Sequence, residues 1–174
     1  MNQINSKPFR ILAIAPTTRG VGFAVLEETL VDWGVKTIKG EKNKQSVAKV
    51  RELISNFRPS VIALQNTKGS HRSDRIKVLS KKLIAMAATH KVKMVLFSHE
   101  QTRRAFFPEG LGTKHAVAEI IAQQFPEELG SRLPPKRRPW TNESHNMTIF
   151  DAAALAMVFR LKQGKTNFSK CGIP

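Results

Sequence analysis

The sequence predicts an α/β protein with a mixed five-stranded sheet and helices on both faces. Three observations lead there. Residues 9–15, 21–27 and 30–38 are apolar β-type runs joined by short polar turns, the pattern of an antiparallel meander. A fourth strand, Val61-Ile62-Ala63-Leu64 ending at Gln65, follows a segment of helical spacing, as a parallel crossover does. The run Ile11-Leu12-Ala13-Ile14-Ala15 is apolar at every position, which suits a central strand covered on both faces.

The elements follow in order. Residues 1–8 are polar and read as a tail. The first two turns are Pro16 to Gly20 and Glu27-Glu28-Thr29, and Gly40 to Lys44 forms a third. From Gln45 to Phe57, the residues Val47, Val50, Leu53, Ile54 and Phe57 recur at helical spacing, and Arg58-Pro59 ends that helix. After a loop at 67–73, a long helix from Asp74 to His90 carries Ile76, Leu79, Leu83 and Met86 on one face. Asp74 at its start complements the helix dipole. The fifth strand is 92–97, and a short helix bearing Arg103 and Arg104 follows. A turn at 108–112 leads to a helix from Thr113 to Phe125. Residues 126–146 contain Pro126, Pro134, Pro135 and Pro139 and are expected to be mostly loop. The last helix, Met147 to Lys162, is apolar nearly all round and is therefore expected to be buried. The expected order is βββαβαβαα, in one domain at 9–163 with a second tail at 164–174.

At 174 residues the chain is long enough for one substantial core. Lys and Arg total 29 against 13 acids, a formal net charge of +16. Such an excess points to a polyanionic partner, with nucleic acid first. The single Cys171 excludes an internal disulfide. Residues 1–8 lack the apolar core of a signal peptide, and no apolar run approaches a membrane span of about 20 residues. A cytoplasmic protein is expected, nucleoid-associated if bacterial.

Several motifs resemble the RuvC-type Holliday-junction resolvases of the ribonuclease-H-like superfamily. Ile11 to Val25 looks like the family's opening strand and turn, and Leu30-Val31-Asp32-Trp33-Gly34 like its third strand. Ser70 to Lys77 resembles its Ser/Arg-rich helix entry. Arg103-Arg104 with Thr113-Lys114 resembles its basic connection. Phe150-Asp151-Ala152-Ala153-Ala154-Leu155-Ala156 looks like its final acidic helix. The resemblance spans residues 9–163. It implies a ribonuclease-H-like fold, DNA recombination or repair, and a possible homodimer. It also implies phosphodiester hydrolysis by two divalent metals, which need converging carboxylates. The family's four acidic positions fall on Ala15, Gln65, Thr148 and Asp151, of which only Asp151 is acidic. Among the remaining acids, Asp74, Glu100 and Glu143 are the candidate substitutes, but their spacing matches no metal site. Asp-to-Ala and Glu-to-Gln are changes an experimenter makes to inactivate such an enzyme; Thr148 is not, so the first reading is a naturally degenerate site and the second an engineered variant. Asp151 has a simpler explanation as a first-turn acid on the helix dipole.

Removing the carboxylates leaves a groove that is positive without metal. The expected nucleic-acid-binding residues are Arg19, Lys68, Arg72, Arg75, Arg103, Arg104, Lys114, Lys136, Arg137, Arg138 and Trp140. In Leu133 to Trp140, prolines stiffen the loop, three cations face phosphates and Trp140 either stacks on a base or packs on the domain. The first reading is a protein that binds branched or duplex DNA without cleavage and without cofactor. An active endonuclease would need Mg²⁺ or Mn²⁺ on Asp151 with substitutes such as Glu100 or Glu143. The third reading is an adaptor that holds RNA or an acidic protein.

Overall fold

In the computed structural model, which describes residues 7–68 and 71–164, three strands open the chain. They are β1 (Ile11–Pro16), β2 (Gly20–Leu26) and β3 (Leu30–Thr37). Then come α1 (Lys42–Phe57), β4 (Val61–Gln65), α2 (Asp74–Thr89) and β5 (Lys93–Phe97). The second half holds α3 (His99–Phe106), α4 (Lys114–Gln124), α5 (Pro126–Leu129), a 3-10 turn (Gly130–Arg132) and α6 (Met147–Lys162). The tails expected at 1–8 and 164–174 lie largely outside the described residues, as do Ser70 and Cys171.

The sheet order is β3-β2-β1-β4-β5, with β1 at the centre as its apolar run requires. β1 pairs antiparallel with β2 and parallel with β4, while β5 is parallel to β4. This is the mixed five-stranded sheet of the ribonuclease-H-like fold. Strand alternation divides the core in two. Ile11, Ala13 and Ala15 join Val61 and Ala63 under α4 and α6. Leu12 and Ile14 join Ile62 and Leu64 under α1 and α2. The register Ile11↔Val61 through Ile14↔Leu64 brings the ends of β1 and β4 side by side, on the face covered by α6. α6 itself is buried along most of its length.

Two expected boundaries are corrected. α1 begins at Lys42, three residues before the expected start, because Gln45 N–H already donates to Glu41 C=O. Lys42, Asn43 and Lys44 carry no apolar side chain, so the hydrophobic period does not register them. Residues 126–132, expected to be loop, form α5 and the 3-10 turn. Pro126 stands in the first turn, where its missing N–H costs nothing, and Leu129 is fully buried.

α6 approaches the sheet at Gly22. A methyl group there would lie 2.4 Å from Thr148 Cγ2 and 2.8 Å from the Thr148 carbonyl oxygen. Gly22→Ala is expected to cost about 1–3 kcal/mol of stability in urea unfolding. Adding Thr148→Ser, which deletes the clashing methyl, should recover part of that loss.

Candidate functional site

The four positions where the resembled family sets acids converge at the carboxyl ends of β1 and β4 and on α6, but their chemistry differs. Ala15 is 2% exposed and sits opposite Gly22 in the ladder, and Thr148, 8% exposed, packs on Gly22. These two positions are closed by hydrocarbon contact. Gln65 ends β4 and is buried, its Oε1 accepting a 2.7 Å hydrogen bond from Arg72 Nη2. Asp151 Oδ2 lies 2.9 Å from Lys114 Nζ, which also reaches Glu143 Oε1 at 2.6 Å. Gln65 Oε1 and Asp151 Oδ2 are therefore each engaged by a cationic side chain of the same molecule.

The helix-dipole explanation of Asp151 is corrected. α6 starts at Met147 and has no acid in its first turn; Asp151 is its fifth residue. What holds Asp151 is Lys114, the first residue of α4, whose N-cap Thr113 accepts from Ala116 N–H. A lysine there opposes the helix dipole and needs another partner. That misfit is the sequence signal by which the Lys114–Asp151 pair was legible and was missed.

Arg72 links three elements. Its Nη1 donates to Pro16 C=O at 3.0 Å, and its Nη2 reaches both Gln65 and His99 Nε2, the latter at 3.0 Å. A guanidinium only donates, so His99 Nε2 accepts and the neutral ring carries its proton on Nδ1. Desolvation on its inner side lowers the His99 pKa; Arg72 and Lys114 lower it further, against Glu143. Burial raises the Asp151 carboxyl, and the Lys114 ammonium opposes that rise without cancelling it. Burial works to lower the Lys114 pKa, but Asp151 and Glu143 outweigh it, so the ammonium is held charged to higher pH.

These groups line a cleft of about 770 Å³, with Gln65, His99, Lys114 and Asp151 inside and Arg103 and Leu111 among its walls. Of the expected substitutes, Glu100 lines the same cleft but pairs with Arg104 at 2.7 Å. Asp74 is wholly exposed and faces Lys77 at 3.9 Å. Glu143 alone comes near Asp151, with Lys114 between them. Among the described residues, no group of three or more His, Cys, Asp or Glu is placed to hold a metal ion. Two hard dications need several free carboxylate oxygens, and this donor set does not fit them.

The other expected cations divide by location. Arg75 is fixed by Asn43 Oδ1 at 3.0 Å and by the Thr17 carbonyl oxygen, and Arg19 and Lys68 are exposed in the neighbouring turn and loop. Lys136, Arg137 and Arg138 form a second group on the loop after the 3-10 turn. That loop is pinned twice to the start of α4: His115 Nε2–H donates to Pro134 C=O at 2.9 Å, and Glu143 meets Lys114. Between the pins, Trp140 is 77% exposed, with the Arg138 guanidinium 6.0 Å from its ring centroid. Packing of Trp140 on the domain, one of its two expected roles, is thereby ruled out. His99, absent from the expected site, is the other residue that sequence reasoning missed. It follows a capping box at Ser98 and Gln101, which marks a helix start but no chemistry.

No protein-family model matches this sequence, and no curated protein does. Solved structures do match. Thermus thermophilus RuvC has a TM-score of 0.64 at 21% identity, covering 90% of this chain and 98% of that one. RuvC of the same organism in complex with Holliday-junction substrate has a TM-score of 0.63 at 21% identity, covering 90% and 97%. The fowlpox virus resolvase in complex with substrate Holliday-junction DNA has a TM-score of 0.55 at 13% identity, covering 89% and 99%. The chain has a RuvC-like resolvase fold.

The lowered pKa of His99 sets a sign. The fold favours the neutral ring, so its contribution is present above the unfolded value near 6.5 and is lost as pH falls through the folded value. Urea unfolding at pH 7.5 and 5.5 should show a larger acid loss for the natural protein than for His99→Gln, whose amide does not titrate.

Proposed function

We propose that this protein binds branched or double-stranded DNA through the phosphate backbone and does not cut it. One observation carries the reading. Of the four positions where the resembled resolvases set metal-binding acids, only Asp151 keeps a carboxylate, and Lys114 engages it at 2.9 Å. In-line hydrolysis needs two ions clamping the attacking and leaving oxygens. The groups offered here are instead an amide on Arg72, a threonine whose methyl packs on glycine and a carboxylate in an ion pair.

What surrounds them suits a polyanion. Arg72 and Arg75 are held rigidly by backbone carbonyls, and Arg19, Lys68 and Arg103 stand exposed near them. Lys136, Arg137 and Arg138 add a second phosphate-binding stretch beside an exposed Trp140. The net charge of +16 supports the same partner. DNA is preferred over other polyanions because two neighbours of this fold were solved with Holliday-junction DNA. No base-reading element stands out, so shape and phosphate contacts supply the recognition. The unit proposed to bind is residues 9–163, as a homodimer in the manner of resolvases, located in the cytoplasm and on the nucleoid if the source is bacterial.

The test is one assay on labelled four-way junction and matched duplex in EDTA, Mg²⁺ and Mn²⁺, scoring shifted and cut species together. Shifted, uncut DNA in all three is expected, with a log–log salt slope of about −0.9 per duplex phosphate neutralised. Metal-dependent cutting would overturn the reading in favour of an endonuclease. Preference for RNA or for an acidic protein would favour an adaptor. Trp140→Ala should weaken junction binding roughly tenfold, since stacking contributes about 1–3 kcal/mol per base. Its thermal stability should be unchanged, because the ring is exposed.

A further inference from the structure

We infer that Lys114 is a resident counter-cation standing in for a divalent metal: its ammonium bridges the Asp151 carboxylate in the cleft and the Glu143 carboxylate beside it and offsets one of their two negative charges, so that a phosphate approaches without bound Mg²⁺. The inference rests on the DNA-binding reading above and deepens it.

The geometry gives Lys114 two carboxylates, at 2.9 Å to Asp151 Oδ2 and 2.6 Å to Glu143 Oε1. Those carboxylates belong to different segments, one on α6 and one on the loop before it, and the ammonium is what joins them. A single positive charge bridging two carboxylates is the electrostatic arrangement that a hard cation supplies elsewhere. The Asp151 side chain is 20% exposed and that of Lys114 38%, so the pair sits at the cleft floor with limited screening. Without the ammonium, two like charges would face any incoming phosphate. Arg72 plays a related part at Gln65, where it donates to a neutral amide oxygen at 2.7 Å.

This assigns Lys114 a role distinct from phosphate contact. Its charge is spent on the carboxylates, and the phosphate is held by the cations around the rim. The two roles separate in a charge-compensation series. The proteins are the natural chain, Lys114→Met, and the triple variant Lys114→Met, Glu143→Gln, Asp151→Asn. Binding to labelled four-way junction is read by anisotropy in EDTA and in Mn²⁺. Lys114→Met is expected to lose about tenfold in affinity in EDTA and to regain it in Mn²⁺. The triple variant is expected to bind within about twofold of the natural protein in both conditions. A triple variant as weak as Lys114→Met would overturn the inference, since the ammonium would then be holding phosphate itself. Failure of Mn²⁺ to rescue Lys114→Met would overturn it as well.

A second readout needs no DNA. Electron paramagnetic resonance of free Mn²⁺ should be unchanged by the natural protein and attenuated by Lys114→Met. If the natural protein binds no DNA, the function proposed above fails, and the Mn²⁺ signal alone decides this inference. If Lys114→Met does not fold by circular dichroism, Glu143→Gln with Asp151→Asn serves instead. Relieved of both carboxylates, Lys114 then adds a free charge, and junction affinity should rise severalfold in EDTA; unchanged or weaker binding would overturn the inference.

Discussion

A strand buried on both faces has no water to satisfy a polar side chain, and that constraint governs this molecule from β1 outward. Every residue of β1 is buried. A carboxylate at its end would be a buried charge needing a cation beside it. In the resembled nucleases, metal is that cation. Here Ala15 fills the position with no charge, and Gly22 lets α6 close over it through Thr148. An alanine at this strand end and the tight docking of α6 go together. Restoring an acid at Ala15 would place a carboxylate where the surroundings are packed hydrocarbon.

The same rule explains the polar groups that remain. Gln65 ends a fully buried strand, and its amide oxygen is satisfied by Arg72 rather than by solvent. Asp151 is satisfied by Lys114. Both solutions use side-chain cations, which costs a basic protein little, since its carboxylates are outnumbered more than two to one. Arg72 and Arg75 also spend donors on the carbonyls of Pro16 and Thr17, at the exit of β1. Those bonds fix the guanidinium groups before any ligand arrives, so less freedom is lost on binding.

The sheet was legible because its signals are local and repetitive. An all-apolar run marks a doubly covered strand, and the meander and crossover follow from spacing alone; β1, β2, β3, β4 and α6 all lie where the pattern sets them. The short α5 was hidden because four residues beginning with proline carry no period. The site was legible only as a set of substitutions at Ala15, Gln65 and Thr148. Its wiring was not, because Lys114 to Asp151, Lys114 to Glu143 and Arg72 to Gln65 depend on which helix ends meet over the sheet. Glu143 shows the difference: its spacing matched no metal site, yet folding carries it to within one ammonium of Asp151. Trp140 was ambiguous between packing and exposure because a proline-rich loop fixes its own stiffness but not its neighbours.

The place of Asp151 in the fold is explained by connectivity. Asp151 orients Lys114, Lys114 holds Glu143, and Glu143 anchors the far end of the loop whose near end His115 holds at Pro134. Between those anchors stand Lys136, Arg137, Arg138 and Trp140. An acid that binds metal in a nuclease here fixes the base of a projecting basic loop. Asp151 and the loop therefore meet at one ammonium, while the second tie, from His115 to Pro134, is independent of it. Neutralising Asp151 leaves Lys114 its tie to Glu143, so the change falls on the charge of the cleft rather than on the loop.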